Sequence, residues 1–353
     1  MYKYRIYLYR LIESGGKMSK ILIVGPNFFG YNDSVSDALK EKGHEVKVFN
    51  HYDGYKGIKN KLLCSKLSKL NITKFKDEYD KKLNQEILDI YNDFNPEVVL
   101  VIKGFQMLPS TLAKMNKSIK VLWMMDSVYR YPNVLKNINL YDYRFMFENN
   151  DVEKLKQEDV VSYFLPLAAD KNKYFPKNEI NKDIDILFIG SLYESRKEMF
   201  ERLSKDFKDL NICVYGKYTD IKNPKSYFKY INKDIKRTFK NSYVASNEVN
   251  DLYSRAKICI NLHHEQSKDG CNPRFYEILA SGAFQIVDYN EYIINNYGDK
   301  IDNFKTYDEL KSKIEFYLKN EDERKKSILN YKEIVENNYF ENRIDTLLDI
   351  INL

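Results

Sequence analysis

Cysteine is scarce in this 353-residue chain: Cys64, Cys213, Cys259 and Cys271 stand far apart, without metal-ligand spacing. That argues against a disulfide framework and a cysteine-built zinc site. With no secretory signal in view, reduced thiols in a cytoplasmic protein are expected. No apolar run approaches the roughly 18 residues of a membrane span, and 43% hydrophobic with 31% charged residues suits a soluble globular protein. Arginine is also rare, 11 of 57 basic residues, and lysine, asparagine, isoleucine and tyrosine are abundant, as an AT-rich coding sequence would give. The 30 tyrosines therefore need no functional explanation. A concentrated basic block is missing too, since the lysines are mixed with acids along the chain despite a net charge of +6. Nucleic acid is disfavoured as a partner on that ground, while an anionic substrate or a peripheral membrane contact is easier to accommodate.

The length suggests two domains of about 150 to 170 residues. Residues 1–17 carry charges throughout and precede a second methionine, Met18, so they are expected to be an extension that is not native. From Lys20, "KILIVGPNFFGYNDSVSDALKEKGHEVKVFN" reads as a buried strand, a glycine turn, a helix and a second strand. "PEVVLVIKG", "KVLWMMDS" and "YDYRFMFEN" are further apolar runs ending in polar residues, which implies a parallel sheet covered by helices. After a polar stretch with Pro176, "IDILFIGSLYESRKEMFERL" repeats the opening plan, followed by "NICVYGKY", "AKICINLHHE" and "AFQIVDY". The expected fold is α/β, with two Rossmann-like doubly wound domains facing a cleft: 18–170, a linker at 171–182, 183–335, and a C-terminal helical segment at 336–353. No short tandem repeat is present.

Ligands of such sheets sit outside the carboxyl ends of the strands, so the polar residues there are the candidates. In "CNPRFYEILASG", Asn272 suits an N-cap, Pro273 the first helical position and Gly282 the left-handed terminator, giving a helix of about eight residues. Its N-terminus, with Arg274 in the first turn, suits phosphate, and Glu277 lies one turn further on the same side, a carboxylate able to accept from two vicinal hydroxyls. The plain alternative is a surface helix on which Arg274 and Glu277 pair with each other. Gly190 and Ser191 permit close backbone approach to a ligand, Arg196 offers a second phosphate contact, and Tyr215 and Gly216 at the next strand end are counted with them. Of His263 and His264, adjacent and pointing apart, one is expected to hydrogen-bond sugar or phosphate, and His263 is taken as a catalytic candidate. In the first domain Gly25, Pro26 and Asn27 form the first turn without the G-x-G-x-x-G spacing of dinucleotide sites. Lys103 and Asp126 end their strands, Lys103 as a charge contact and Asp126 as a candidate general base or a helix cap. Asp183 and Asp185 sit where a strand begins and are read as structural, so no metal is called for.

With these residues in hand, "ILIVGPNFFGYNDSV", "VLWMMDS", "LPLAAD", "DILFIGSLYESR", "ICINLHH" and "NPRFYEILASGAFQIVDY" resemble the CgeB-type, spore-maturation-like glycosyltransferases of the GT-B fold, over nearly the whole chain from Lys20. The resemblance implies a nucleotide-sugar donor held mainly by the C-terminal domain and an acceptor held mainly by the N-terminal one. It also implies a C-terminal helix crossing back to the first domain. UDP is taken as the base because it is common among similar enzymes; the acceptor could be a protein, a glycan or a small molecule. Many related retaining enzymes carry two glutamates separated by seven residues; Glu277 matches the second, the first is expected to fall on Gly270, and Asp269 and Glu265 are read as out of register. A catalytically silent nucleotide-sugar-binding partner and an epimerase on the same fold are the competing readings.

Overall fold

The computed structural model describes residues 18–51, 73–178, 180–220, 223–264 and 267–353, with the backbone alone for 73–76. Residues 1–17, Cys64 and Glu265 lie outside these. The chain forms two units. One takes in the chain up to Pro166 together with Phe340–Leu353, and the other is Leu167–Tyr339.

The first unit runs β1 (Lys20–Gly25), α1 (Tyr31–Glu41), β2 (Glu45–Asn50), α2 (Thr73–Phe94), β3 (Val98–Ile102), α3 (Pro109–Lys114), β4 (Ile119–Met124), α4 (Pro132–Lys136), β5 (Tyr143–Met146), α5 (Asn149–Gln157) and β6 (Tyr163–Phe164). Its strands are all parallel in the order β2-β1-β3-β4-β5-β6. β3 is the run Val-Val-Leu-Val-Ile with every residue buried. An unbroken apolar strand of this kind is what two helical layers require. The register puts Ile21 beside Val98 and Val98 beside Ile119, so the three central strands end level and carry their exit loops to one edge.

His51, just past β2, is fully buried, with Nδ1 2.9 Å from Gln106 Oε1 and no partner on Nε2 among the described residues. Burial drives its pKa down to about 4, against the weaker opposing pull of the Gln106 hydrogen bond. Between that value and the unfolded value near 6.5 the unfolded chain binds the extra proton, so this group makes stability fall as pH drops through 6.5 and level off below 4. The cost is about 2 kcal/mol by pH 5. Urea unfolding at pH 7 and pH 5 should therefore show wild type losing about that much more than His51→Asn; equal losses would contradict the buried neutral imidazole.

The second unit runs β7 (Ile184–Ile189), α6 (Glu194–Asp206), β8 (Ile212–Tyr215), α7 (Lys225–Tyr230), α8 (Lys233–Thr238), α9 (Val249–Arg255), β9 (Ala256–Asn261), α10 (Pro273–Ala280), β10 (Gln285–Asp288), α11 (Glu291–Tyr297), β11 (Asp302–Phe304), α12 (Tyr307–Lys319), α13 (Glu321–Leu329) and α14 (Tyr331–Glu336). Its sheet is also parallel, in the order β11-β10-β9-β7-β8.

One expected boundary moves. The polar stretch 171–182 is not a free linker: Tyr174 is buried, Phe175 O accepts from Asn250 Nδ2 at 3.1 Å, and Lys182 Nζ donates to the carbonyls of Ser254 and Ala256. Polar composition suggested solvent, but these side chains serve as donors and acceptors within the second unit. At the other end, α15 (Phe340–Ile351) belongs to the first unit. It buries Phe340, Ile344, Leu347, Leu348 and Ile351, a contribution of about 1.5–3 kcal/mol for each large apolar side chain. Phe340 lies against Tyr31 and Trp123, Asp345 pairs with Lys42 at 2.5 Å, and Arg343 Nε donates to Pro166 O at 3.0 Å.

Candidate functional site

In the second unit the chain leaves β7 for β8 on one side and returns through β9, β10 and β11 on the other. The loops after β7 and β9 therefore depart in opposite directions, and the carboxyl edge opens between them, the usual ligand position in sheets of this kind. One lip is Gly190–Tyr193 and the other Leu262–His264. Gly216, after β8, fits only as glycine: its φ is +151°, and a Cβ there would lie 2.2 Å from Gly190 O. Tyr215 O accepts from the Gly190 amide at 3.0 Å, so Tyr215 and Gly216 set the position of the first lip.

α10 begins at this edge. Asn272 Oδ1 accepts from the Phe275 amide at 3.2 Å, Pro273 takes the first helical position, and Gly282 ends the turn at φ +64°. The helix is eight residues long, as its capping residues predict. Asn272 also ties the helix start to the β9 exit, Nδ2 donating to Asn261 Oδ1 at 3.0 Å and to Leu262 O at 3.2 Å. A local cap thus doubles as a tertiary anchor.

Arg274 follows in the first turn, half-buried, its Cζ 3.5 Å from where a Cβ on Gly190 would stand. Among the described residues no carboxylate pairs with it, so the surface pairing of Arg274 with Glu277 is not what the structure has. Glu277 is 4% exposed. Its neighbour Tyr253 on α9 has a hydroxyl without a hydrogen-bond partner, held protonated far above its ordinary range by burial and by the Glu277 charge.

Arg196 corrects an expectation. Its guanidinium is not turned to a ligand as a free phosphate donor: NH1 donates to Ser191 O at 2.9 Å, and NH2 to Leu262 O at 3.0 Å and His263 O at 2.9 Å. It bridges the two lips of the edge, flanked by the rings of Phe188 and Tyr193. Burial, and then the neighbouring Arg274 charge, lower its pKa to about 10. The two guanidinium groups are close enough to repel, and only one of them is spent on carbonyls.

His263 is also more constrained than expected. Asp288, at the end of β10, accepts from its backbone amide at 2.8 Å and lies 2.6 Å from its Nδ1, and the side chain is 4% exposed. Only Nε2, buried and without a partner among the described residues, is left for a ligand. His264 turns away from this pair and packs edge-on to Tyr193, ring centroids 5.1 Å apart. Asp288 escaped the sequence reading, although a carboxylate closing an apolar strand was a visible signal. Seven residues, 270–276, separate Asp269 from Glu277, so the register expected at Gly270 is corrected to Asp269.

The first unit's candidates gather at its own carboxyl edge. Gly25 closes β1 with the Ile102 Cβ 2.8 Å from where its own would be, Pro26 is buried, and Asn27 Nδ2 donates to Asp33 Oδ2 at 3.0 Å. Lys103 and Gly104 both adopt left-handed φ, +63° and +67°, turning the chain sharply after β3. Lys103 Nζ then lies 4.5 Å from the Phe28 ring centre and 2.5 Å from Asp126 Oδ2. Asp126 accepts also from Tyr131 OH at 3.2 Å and Arg130 NH1 at 3.4 Å. Asp126 thus stands in a cluster of three donors from Lys103, Arg130 and Tyr131.

Asp183 and Asp185 stand at the start of β7. Asp183 takes both Nε and NH2 of Arg255, at 2.8 and 2.6 Å, and Asp185 pairs with Lys257 at 2.7 Å. Burial pushes the Cys259 thiol up to about 12, so it is held as an inert thiol. Among the described residues no helix is long and apolar enough to cross a membrane.

Residues 196–349 match a family described as glycosyl transferase-like. No curated protein matches the chain. Among solved structures, sucrose-phosphate synthase from Thermosynechococcus elongatus is similar with a TM-score of 0.66 at 10% identity, over 94% of this chain and 99% of that one. A glycosyltransferase from Rickettsia africae gives 0.62 at 14% identity, over 95% and 98%. The Anabaena protein HepE, solved in complex with UDP-glucose, gives 0.60 at 11% identity, over 94% and 100%. At such identities the likeness establishes the fold, which is GT-B with two Rossmann-like parallel-sheet domains.

Proposed function

We propose that this protein is a glycosyltransferase that moves a hexosyl or related sugar from a nucleotide-sugar donor, UDP-linked, to a protein, glycan or small-molecule acceptor. The observation that carries the reading is Arg274: a half-buried guanidinium with no carboxylate partner among the described residues, on the first turn of α10, where the strand order reverses and the lips are already tied down by Arg196. A helix N-terminus and an arginine fork there match a diphosphate. Glu277, buried one turn along, is proposed to take the ribose hydroxyls.

As the bond from the anomeric carbon to the diphosphate breaks, negative charge grows on the leaving oxygen. Donors already fixed in place stabilise that charge without reorganising, which lowers the barrier more than it strengthens ground-state binding. Arg274 and the α10 amides would supply this without a metal. His263, its ring oriented by Asp288, is proposed to accept from a sugar hydroxyl at Nε2 or, as the imidazolium, to donate there to a phosphate oxygen. The narrower kinship with CgeB-type enzymes is supported by the Asn272, Arg274 and Glu277 spacing, and UDP by the UDP-glucose found with HepE.

The test is a thermal-unfolding titration with UDP, GDP, dTDP, ADP and their common sugars, with magnesium and with chelator. Ligand at 100 times its dissociation constant adds about 2.7 kcal/mol, an upward shift of about 5 to 10 °C in a domain of this size. A shift from one nucleotide family in both buffers, lost in Glu277→Ala, supports the donor site; no shift from any nucleotide sinks it.

A further inference from the structure

One stretch of the second unit departs from the charge balance of the rest. Between Asn223 and Tyr243 stand six basic residues, Lys225, Lys229, Lys233, Lys236, Arg237 and Lys240, against the single acid Asp234, whereas the whole chain has 57 basic and 51 acidic residues. Its apolar residues are just as unusual. Phe228 is 76% exposed, Ile231 71% and Tyr243 67%, with Tyr227 at 46%.

These exposures are not the mark of a loosely attached segment. α7 and α8 are anchored from the other side: Tyr230 packs on Tyr218 at 5.8 Å and donates to Phe239 O at 3.3 Å, and Ser226, Thr238 and Phe239 are buried. Phe228 and Ile231, three residues apart, share one outward face. Lys229 reaches Glu201 at 3.5 Å, but Lys225, Lys233 and Lys236 are exposed with no carboxylate partner among the described residues.

We propose that α7 and α8 form a docking surface for an anionic lipid bilayer. Exposed aromatic and aliphatic side chains interspersed with exposed lysines on the same two helices match a bilayer interface, where the rings and Ile231 enter the acyl boundary while the ammonium groups meet acidic headgroups. A nucleic acid would reward the lysines and the rings but leave Ile231 in water. The inference stands independently of the glycosyl-transfer reading, because no residue of the donor site takes part.

Flotation of the full chain with phosphatidylcholine vesicles, with and without about one-third phosphatidylglycerol, reads it directly. Binding is expected to the anionic vesicles only and to weaken with salt. Each lysine near such a surface is worth about fivefold in partitioning, so glutamine at Lys225, Lys233 and Lys236 together should lower binding by about a hundredfold. Phe228→Ser with Ile231→Ser should lower it at least about tenfold at an unchanged melting temperature, since both side chains are in solvent. Wild type staying with the unbound fraction, equal binding to neutral vesicles, or indifference to the Phe228 and Ile231 changes would overturn the proposal. Binding to heparin but not to vesicles would do so as well, and would point to a soluble polyanion.

Discussion

Arg274→Ala is expected to weaken binding of the nucleotide diphosphate, and to lower kcat/KM by about one to two decades, while leaving the unliganded protein as stable as wild type or slightly more so. The size follows from one charge-assisted hydrogen-bond partner, about 1.5–3 kcal/mol. The direction on stability follows from the neighbourhood: among the described residues Arg274 has no carboxylate to lose, and it sits beside another guanidinium that it repels. Calorimetric titration and a melting curve on the same sample check both halves. Affinity within twofold of wild type would remove Arg274 from the site, and a large fall in melting temperature would make it structural.

Arg196→Ala should do the reverse. Its side chain satisfies the carbonyls of Ser191, Leu262 and His263, so removal strips Ser191 and His263 of this donor, leaves Leu262 O to Asn272 alone and opens a gap beneath Phe188 and Tyr193. A carbonyl left unpaired costs about 1–3 kcal/mol where it is shielded from water, and the emptied space beneath the two rings adds to that loss, so a total of about 3–5 kcal/mol is expected. In a domain of this size that is a drop of about 10 °C or more in melting temperature. Arg196→Lys should recover little, since one ammonium cannot reach both lips in the planar geometry of the fork. Nucleotide affinity falls too, but through loss of the edge itself; a variant of normal stability with weakened binding would return Arg196 to the ligand.

Two arginines of the same chemistry, side by side, thus carry opposite expectations, and nothing in "SRKEMF" or "NPRFYE" separates them. What the residues around Arg274 do show is the helix: Asn272, Pro273 and Gly282 are local signals, because capping depends on a few neighbouring dihedrals and amides. The buried strands were legible for a similar reason, five or six apolar residues in a row being enough to mark them. β6 and β11, of two and three residues, are too short for any period to show. The stretch 171–182 misled because polarity records what a side chain prefers, not which carbonyl lies within its reach.

By itself, then, the amino-acid order determined two α/β halves of parallel strands, the start and stop of α10, and the presence of Arg274 and Glu277 on one side of it, since all of these depend on interactions within a few residues. Only the tertiary structure decided that Arg196 ties Ser191 to Leu262, that Asp288 holds His263, that Lys103 closes on Asp126, and that Phe228 and Ile231 face solvent. Each of those rests on a partner, or the lack of one, fixed by strand order and packing between residues far apart in the chain.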